Sequence, residues 1–218
     1  MVTVSPATVL ADRRLYLCTP DRPDLEDFLE ACMRGGVDLV QLREKNLDAR
    51  PLVARAGAAL RACRAHGVPF IVNDRPDIAL EVGADGVHVG QDDVSPGLAR
   101  RLLGPDAIVG LSTHSPAELV ASVTEPVDYV SAGPVEPTPT KPGRPGTGTT
   151  YVTEAVRRAG RPVFVTGGVR PETVGGPVAA GARRFVVVRY VTEARDPEPA
   201  ARALSQAIHD ALASSAGA

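Results

Sequence analysis

The sequence predicts a single-domain α/β protein closed into a (β/α)8, or TIM, barrel. Three observations carry that expectation. Eight short runs rich in Val, Ile and Leu alternate with longer amphipathic stretches, the pattern of parallel strands covered on both faces. A small residue–Asp–x–Val motif recurs ahead of every second run, which favours a closed barrel over an open sheet. The chain's 218 residues suit one such barrel with a core of about 14–213 and no linker to a second domain. A doubly wound open sheet is the competing architecture.

The first run is Arg14–Thr19, followed by a helical stripe of Leu25, Phe28, Leu29, Cys32 and Met33 at i, i+3, i+4, i+7 and i+8. Val37-Asp38-Leu39-Val40 opens the second run, Leu39–Glu44, and a second stripe follows through Leu52, Val53, Ala56, Ala59, Leu60 and Cys63. The third run is Pro69–Asp74. Ala84-Asp85-Gly86-Val87 leads into the fourth, Gly86–Gly90, and the fifth is Ala107–Thr113. Val127-Asp128-Tyr129-Val130 leads into the sixth, Tyr129–Pro134; the seventh is Pro162–Gly168. A degenerate motif, Ala182-Arg183-Arg184-Phe185, opens the eighth, Arg184–Tyr190, and Leu204, Ile208, Ala211 and Leu212 form the closing helix. Residues 134–149 are too rich in Pro, Gly and Thr for a helix or an interior strand. They follow the sixth strand and are expected to form a lid over the face where barrel enzymes hold their sites.

Candidate chemistry sits just past the strands. Gln41, Arg43 and Lys45 alternate at the end of the second, so an extended chain would aim two cations and an amide one way. Asn73 and Asp74 end the third strand and Asp93 follows the fourth; two carboxylates at neighbouring strand ends suit one Mg2+ that completes its shell with phosphate oxygens and water. Each aspartate alone also reads as a helix N-cap. Ser112 offers a hydroxyl at the end of the fifth strand, and Ser115-Pro116 reads as an N-cap with Pro at N1. The lid supplies Thr138, Pro139, Thr140 and Lys141. Gly168 allows close backbone approach to a ligand, and with Val188 and Arg189 it falls where many barrels hold phosphate. His88 reads as a packed, hydrogen-bonded barrel residue rather than a base. Together these make two anion grips and a metal position at one face.

Composition excludes other classes. The formal charge is −2 and aromatics are 4%, which argues against nucleic acid. No apolar run approaches a membrane span. Cys18, Cys32 and Cys63 form no CxxC pair, consistent with buried thiols in the cytoplasm. A homo-oligomer is compatible with this reading.

The set QLREK (Gln41, Leu42, Arg43, Glu44, Lys45), Asn73-Asp74, DGVHVGQDD, GLSTH, GPVEPTPTK and the late Gly-Gly resembles the thiamine-phosphate synthase family, in the family's order over about residues 14–203. The resemblance implies a (β/α)8 transferase that joins hydroxymethylpyrimidine diphosphate to hydroxyethylthiazole phosphate and releases diphosphate. It implies that Gln41–Lys45, Asn73, Ser112 and Lys141 hold the pyrimidine diphosphate, with Arg43, Lys45, Ser112 and Lys141 acting in catalysis. It further implies Mg2+ on Asp74 and Asp93, and thiazole phosphate on Thr138, Pro139, Thr140, Gly168, Val188 and Arg189. Arg189 stands where many relatives have serine. A thiazole tautomerase on the same barrel would not need the metal residues, and a phosphate sensor would not need the lid.

Overall fold

Eight parallel strands pair in sequence order and close on themselves, β8 returning to β1. They are β1 (Leu15–Thr19), β2 (Leu39–Leu42), β3 (Phe70–Asn73), β4 (Gly86–Val89), β5 (Ile108–Thr113), β6 (Tyr129–Ala132), β7 (Val163–Thr166) and β8 (Arg184–Val187). The structure is a computed structural model that describes residues 5–139, 143 and 145–216. The helices are α1 (Pro6–Leu10), α2 (Leu25–Arg34), α3 (Ala49–Ala65), α4 (Pro76–Val82) and α5 (Pro96–Leu103), then α6 (Pro116–Ser122), α7 (Gly148–Arg158), α8 (Gly175–Ala179), α9 (Arg189–Thr192) and α10 (Pro197–Ala216). Among the described residues, no helix is long and apolar enough to cross a membrane.

Strand alternation divides the core into two layers. Leu15, Leu17, Val40, Leu42, Val72 and Val87 point outward and are covered by helices. Tyr16, Cys18, Leu39, Ile71, Tyr129 and Phe164 point to the barrel axis. The predicted α2 stripe is fully realised: Leu25, Phe28, Leu29, Cys32 and Met33 are all buried, each contributing roughly 1.5–3 kcal/mol if a full apolar side chain leaves water. α1 has no counterpart in the sequence expectation. Ser5 caps it by accepting from Thr8 N, and Leu10 inserts among the axial residues and closes the floor of the barrel.

The recurring aspartates have one structural task. Asp38 N donates to Leu15 O while its carboxylate accepts from Leu15 N and Arg14 N, at 2.9 and 2.6 Å. Asp85 repeats the clamp on Phe70 (N–H to Oδ2, 2.8 Å) and Asp128 on Val109 (2.7 Å). Each clamp fixes the first residues of one strand to the turn entering the next. In the degenerate copy, Arg183 donates instead to Val178 O and Ala182 O.

Several expected strands run too long. β2 stops at Leu42 because its neighbour β1 ends at Thr19, ahead of Pro20; Arg43 N makes the last bond, to Thr19 O at 2.8 Å. β7 stops before Gly167 and Gly168, whose φ angles of 98° and 73° leave the extended region. β8 ends at Val187, so Arg189 is not a strand end but the first residue of α9. The lid interval 134–149 likewise ends early, because Gly148 and Thr149 open α7.

Candidate active site

Every candidate residue that the structure describes lies at or beyond the C-terminal ends of the strands. Gln41, Arg43, Asn73, Ser112, Thr138, Gly168, Val188 and Arg189 line two adjoining cavities that share Thr166, Val186 and Val188 as a wall, whereas Leu42, Glu44, Lys45, Asp74, Asp93 and Pro139 line neither.

The inner cavity lies on the barrel axis. Gln41, Arg43, Asn73, His88 and Ser112 line it. Asn73 is only 6% exposed, yet its Nδ2 has no hydrogen-bond partner among the described residues. Such a donor costs about 1–3 kcal/mol unless a ligand supplies the missing acceptor. Ser112 and His88 are hydrogen-bonded to each other at 2.9 Å. His88 is thus packed and hydrogen-bonded inside the barrel, as expected.

Three members of the predicted grip, Leu42, Glu44 and Lys45, do not line the inner cavity. Leu42 points away from the mouth into the barrel–helix layer, 1% exposed; its side chain reaches no ligand there. The Glu44 carboxylate accepts from Asn46 N at 2.6 Å and shapes the loop. Lys45 lies past the strand end and reaches sideways, with Nζ 2.7 Å from Asp74 Oδ2. Strand periodicity therefore holds for Gln41 and Arg43 but not for Lys45.

Asp74 and Asp93 lie side by side, close enough that each shifts the other's carboxyl. Asp74 holds φ 61° and is the one non-glycine among the described residues with a positive φ. Asp tolerates that region better than most residues, and such strain is characteristic of sites that must aim a side chain. Burial and the adjacent Asp93 raise the Asp74 carboxyl above its usual range, against Lys45. Burial works the same way on Asp93, but the adjacent Asp74, the Gly90 N–H and the nearby Lys45 outweigh it and hold Asp93 low. Asp93 Oδ2 accepts from Gly90 N at 2.8 Å. Neither aspartate is a helix cap: Arg75 holds the N-cap position of α4 and Ser95 caps α5. Ser115 caps α6 as its Ser-Pro signature predicted. Among the described residues no cluster of three potential metal ligands forms, so a metal here would take two protein carboxylates and draw its other ligands from substrate and water.

The outer cavity, about 260 Å3, is bordered by Thr138, Gly168, Val188 and Arg189. Helix starts and glycine turns leave N–H groups without internal acceptors. The Gly168 turn is pinned: its carbonyl accepts from Thr173 Oγ1 at 2.6 Å and from Arg170 at 3.0 Å. Gly168 holds φ 73°, a region that favours glycine, and a Cβ there would fall 2.2 Å from Glu136 Oε2 and 2.9 Å from its Cβ. Arg189 is exposed on the cavity rim and forms no ion pair with Glu193, which instead caps α9 through its own N–H to Arg189 O. Pro139 is exposed on the lid. Thr140 and Lys141 lie outside the described residues.

Sequence reasoning missed Arg170 and Glu136. They pair at 2.8 Å, Arg170 from the wall of the outer cavity, and tie the lid's base to the turn after β7. Arg170 falls two residues past the Gly-Gly pair, a strand-top position that would have flagged it.

Comparison with known proteins matches this arrangement. A family model described as thiamine monophosphate synthase covers residues 15–191. The chain is 48% identical to the thiamine-phosphate synthase of Acidothermus cellulolyticus over 197 residues, 88% of this chain and 93% of that one. It is 47% identical to that of Thermus thermophilus over 202 residues, 90% of this chain and 97% of that one. Among solved structures, the thiamine phosphate pyrophosphorylase from Pyrococcus furiosus superposes with a TM-score of 0.83 at 29% identity, covering 91% of this chain and 96% of that one. A closed barrel with two joined cavities at its mouth, and sequence likeness along nearly its whole length, place this chain in the thiamine monophosphate synthase family.

Proposed function

We propose that this barrel is a thiamine-phosphate synthase: a transferase that joins hydroxymethylpyrimidine diphosphate to hydroxyethylthiazole phosphate, or its carboxylated form, and releases diphosphate. The observation that carries the reading is the shared wall. An inner cavity whose Asn73 donor has no partner among the described residues adjoins a second cavity bordered by a glycine turn, so two substrates bound there would meet.

In this reading the pyrimidine lies in the inner cavity near Gln41, Asn73 and Ser112. Its diphosphate faces Arg43, Lys45 and the carboxylate pair, with Lys141 approaching from the lid. Thiazole phosphate lies on the Gly168 turn and the Val188–Arg189 backbone, under Thr138, Pro139 and Thr140. The C–O bond to diphosphate breaks, and both electrons leave with the diphosphate. The pyrimidine methyl cation is stabilised by its ring amine until the thiazole nitrogen lone pair forms the C–N bond. No side chain has to act as a nucleophile or base. The protein's part is to spread the leaving group's charge and hold the nucleophile in line.

The site also fits Mg2+ at Asp74 and Asp93. Two adjacent carboxylates with one ammonium beside them form an oxygen-rich anionic pair of the kind that holds a hard cation through few protein ligands. When bound, the ion would neutralise diphosphate oxygens as a Lewis acid. The small phosphorylated substrates and the three buried free thiols suit a cytoplasmic enzyme.

The test is direct. The purified chain, given both substrates and Mg2+, should form thiamine phosphate and diphosphate in equal amounts, and EDTA should stop the reaction until Mg2+ is restored. Conversion of the thiazole alone would make the chain an isomerase. Binding of both substrates with no product would make it a sensor. Full activity after exhaustive metal removal would refute the metal assignment.

A further inference from the structure

The barrel interior beneath the inner cavity carries a hydrogen-bonded chain drawn from five strands. Gln41 Nε2 donates to Tyr16 OH at 2.5 Å. The Tyr16 and Tyr129 hydroxyls are 2.9 Å apart, and Tyr129 OH is 2.9 Å from His88 Nδ1. His88 Nε2 is 2.9 Å from Ser112 Oγ. The protein contains four tyrosines in all, and two of them are spent here. The fold also makes room for them: a Cβ on Gly110 would lie 2.1 Å from the Tyr129 ring.

With each buried phenol proton given an acceptor within the chain, the donor and acceptor rules leave one direction. A carboxamide nitrogen can only donate. The other end of the Gln41 amide, Oε1, accepts from the Cys18 thiol at 3.3 Å, which sets the amide's orientation. Tyr16 therefore accepts from Gln41 and has one proton left, for Tyr129. Tyr129 accepts that proton's bond and gives its own to His88 Nδ1. Burial pushes both phenols well above their usual range, so both keep their protons. An accepting Nδ1 puts the ring proton of a neutral imidazole on Nε2, where it is donated to Ser112 Oγ. Ser112 then has its lone pair engaged and its own proton to place. The longer contact from Ser131 Oγ, at 3.5 Å, also runs toward Ser112. The remaining direction for the Ser112 proton is the cavity.

We propose that Tyr16 and Tyr129 are positioning residues that, through His88, aim the Ser112 O–H into the inner cavity as a donor to anionic substrate. Reversing the chain would turn Ser112 inward and make it an acceptor. The kinetic consequence rests on the transferase reading; the tautomer does not, because it is read without substrate.

The experiment uses the full chain labelled with 15N-histidine. Long-range 1H–15N correlation reads each ring's tautomer, and the His88 signals are identified by their loss in His88→Asn. The expected result is Nε2–H in the free protein. Tyr129→Phe removes the donor to Nδ1, so the His88 signals should move toward a tautomer mixture. In that variant kcat should fall about tenfold, the scale of one net hydrogen bond, while KM for thiazole phosphate changes less than about twofold. Ser112→Ala should then cost less in the Tyr129→Phe background than in the wild type. Tyr16→Phe, one link further away, should act in the same direction and serves where Tyr129→Phe does not fold. An Nδ1–H tautomer in the wild type would overturn the proposal. So would Phe variants that lower Tm but leave the His88 tautomer and kcat unchanged. A wild-type chain that forms no thiamine phosphate would sink the transferase reading and leave the tautomer result to be judged alone.

Discussion

The two ends of the barrel put the same residue type to opposite uses. At the floor, Asp85 and Asp128 each accept one backbone N–H and Asp38 two, and each gives one back to the same strand residue. Their acceptor capacity is spent on holding strands in register. At the mouth, Asp74 and Asp93 face one another, and a neighbouring asparagine donor has no partner among the described residues. The floor is consumed by the fold, and the mouth is left for chemistry. An aspartate's role in this chain is therefore decided by which end of a strand it borders.

Substitutions at the mouth should break this contrast most. Asp74→Asn and Asp93→Asn should each lower turnover by about 10²–10³-fold, the loss that follows removal of one strong electrostatic stabiliser. Tm should stay nearly constant, because neither residue supports a strand. Steady-state kinetics beside thermal melts check this; a large fall in Tm with intact turnover would move these residues to the structural group.

Arg189→Ala sharpens the contrast within the mouth itself. Lacking an ion pair with Glu193, the guanidinium remains available at the rim of the outer cavity. Losing a charge-assisted contact should weaken thiazole phosphate by roughly 10–150-fold, with pyrimidine diphosphate unaffected, as read by calorimetric titration of each substrate. Equal affinities before and after would assign that phosphate to the backbone alone.

The smallest effect belongs to the floor. Asp38→Asn replaces one accepting oxygen with an N–H donor facing a backbone N–H, and should cost about 1–3 kcal/mol of stability with kcat unchanged. Its pH dependence has a definite sign. Burial outweighs the two N–H bonds and pushes Asp38 up to about 6, against ~3.9 for an unfolded aspartate. The folded chain thus binds that proton more tightly. The stabilisation is complete below about pH 3.9 and is lost as pH rises through about 6. The Tm difference between wild type and Asp38→Asn should narrow from about pH 4 to about pH 7; a widening difference would identify the ionised form as the stabilising one.

What the sequence made legible follows the same division. The strands and the α2 and α3 stripes were readable because burial on both faces writes them as periodic apolar runs. The aspartate repeat was visible as a pattern, although its purpose needed the N–H partners across strands. The site was legible as residues at strand tops, since topology alone carries those to one face. The direction of Lys45 was not legible: it depends on β2 ending beside Pro20, a non-local fact. Arg189 as a helix start was hidden too, because RFVVVRY reads as one strand until the backbone turns at Val188. The hydrogen-bond chain through Tyr16, Tyr129 and His88 joins residues far apart in sequence, and no local window contains it.

The short helix that precedes the first strand has a consequence for solvent. Leu10 stoppers the base of the barrel and is fully buried among the axial residues. Among the described residues, Leu10 and the axial side chains fill the base of the barrel, and both cavities lie at the strand tops. Substrates seated there would seal the mouth. A short-lived electrophile formed beneath that seal meets no water column rising from below. The nearest nucleophile is then the partner substrate, and a stopper about one strand's length away from the chemistry helps decide which bond forms.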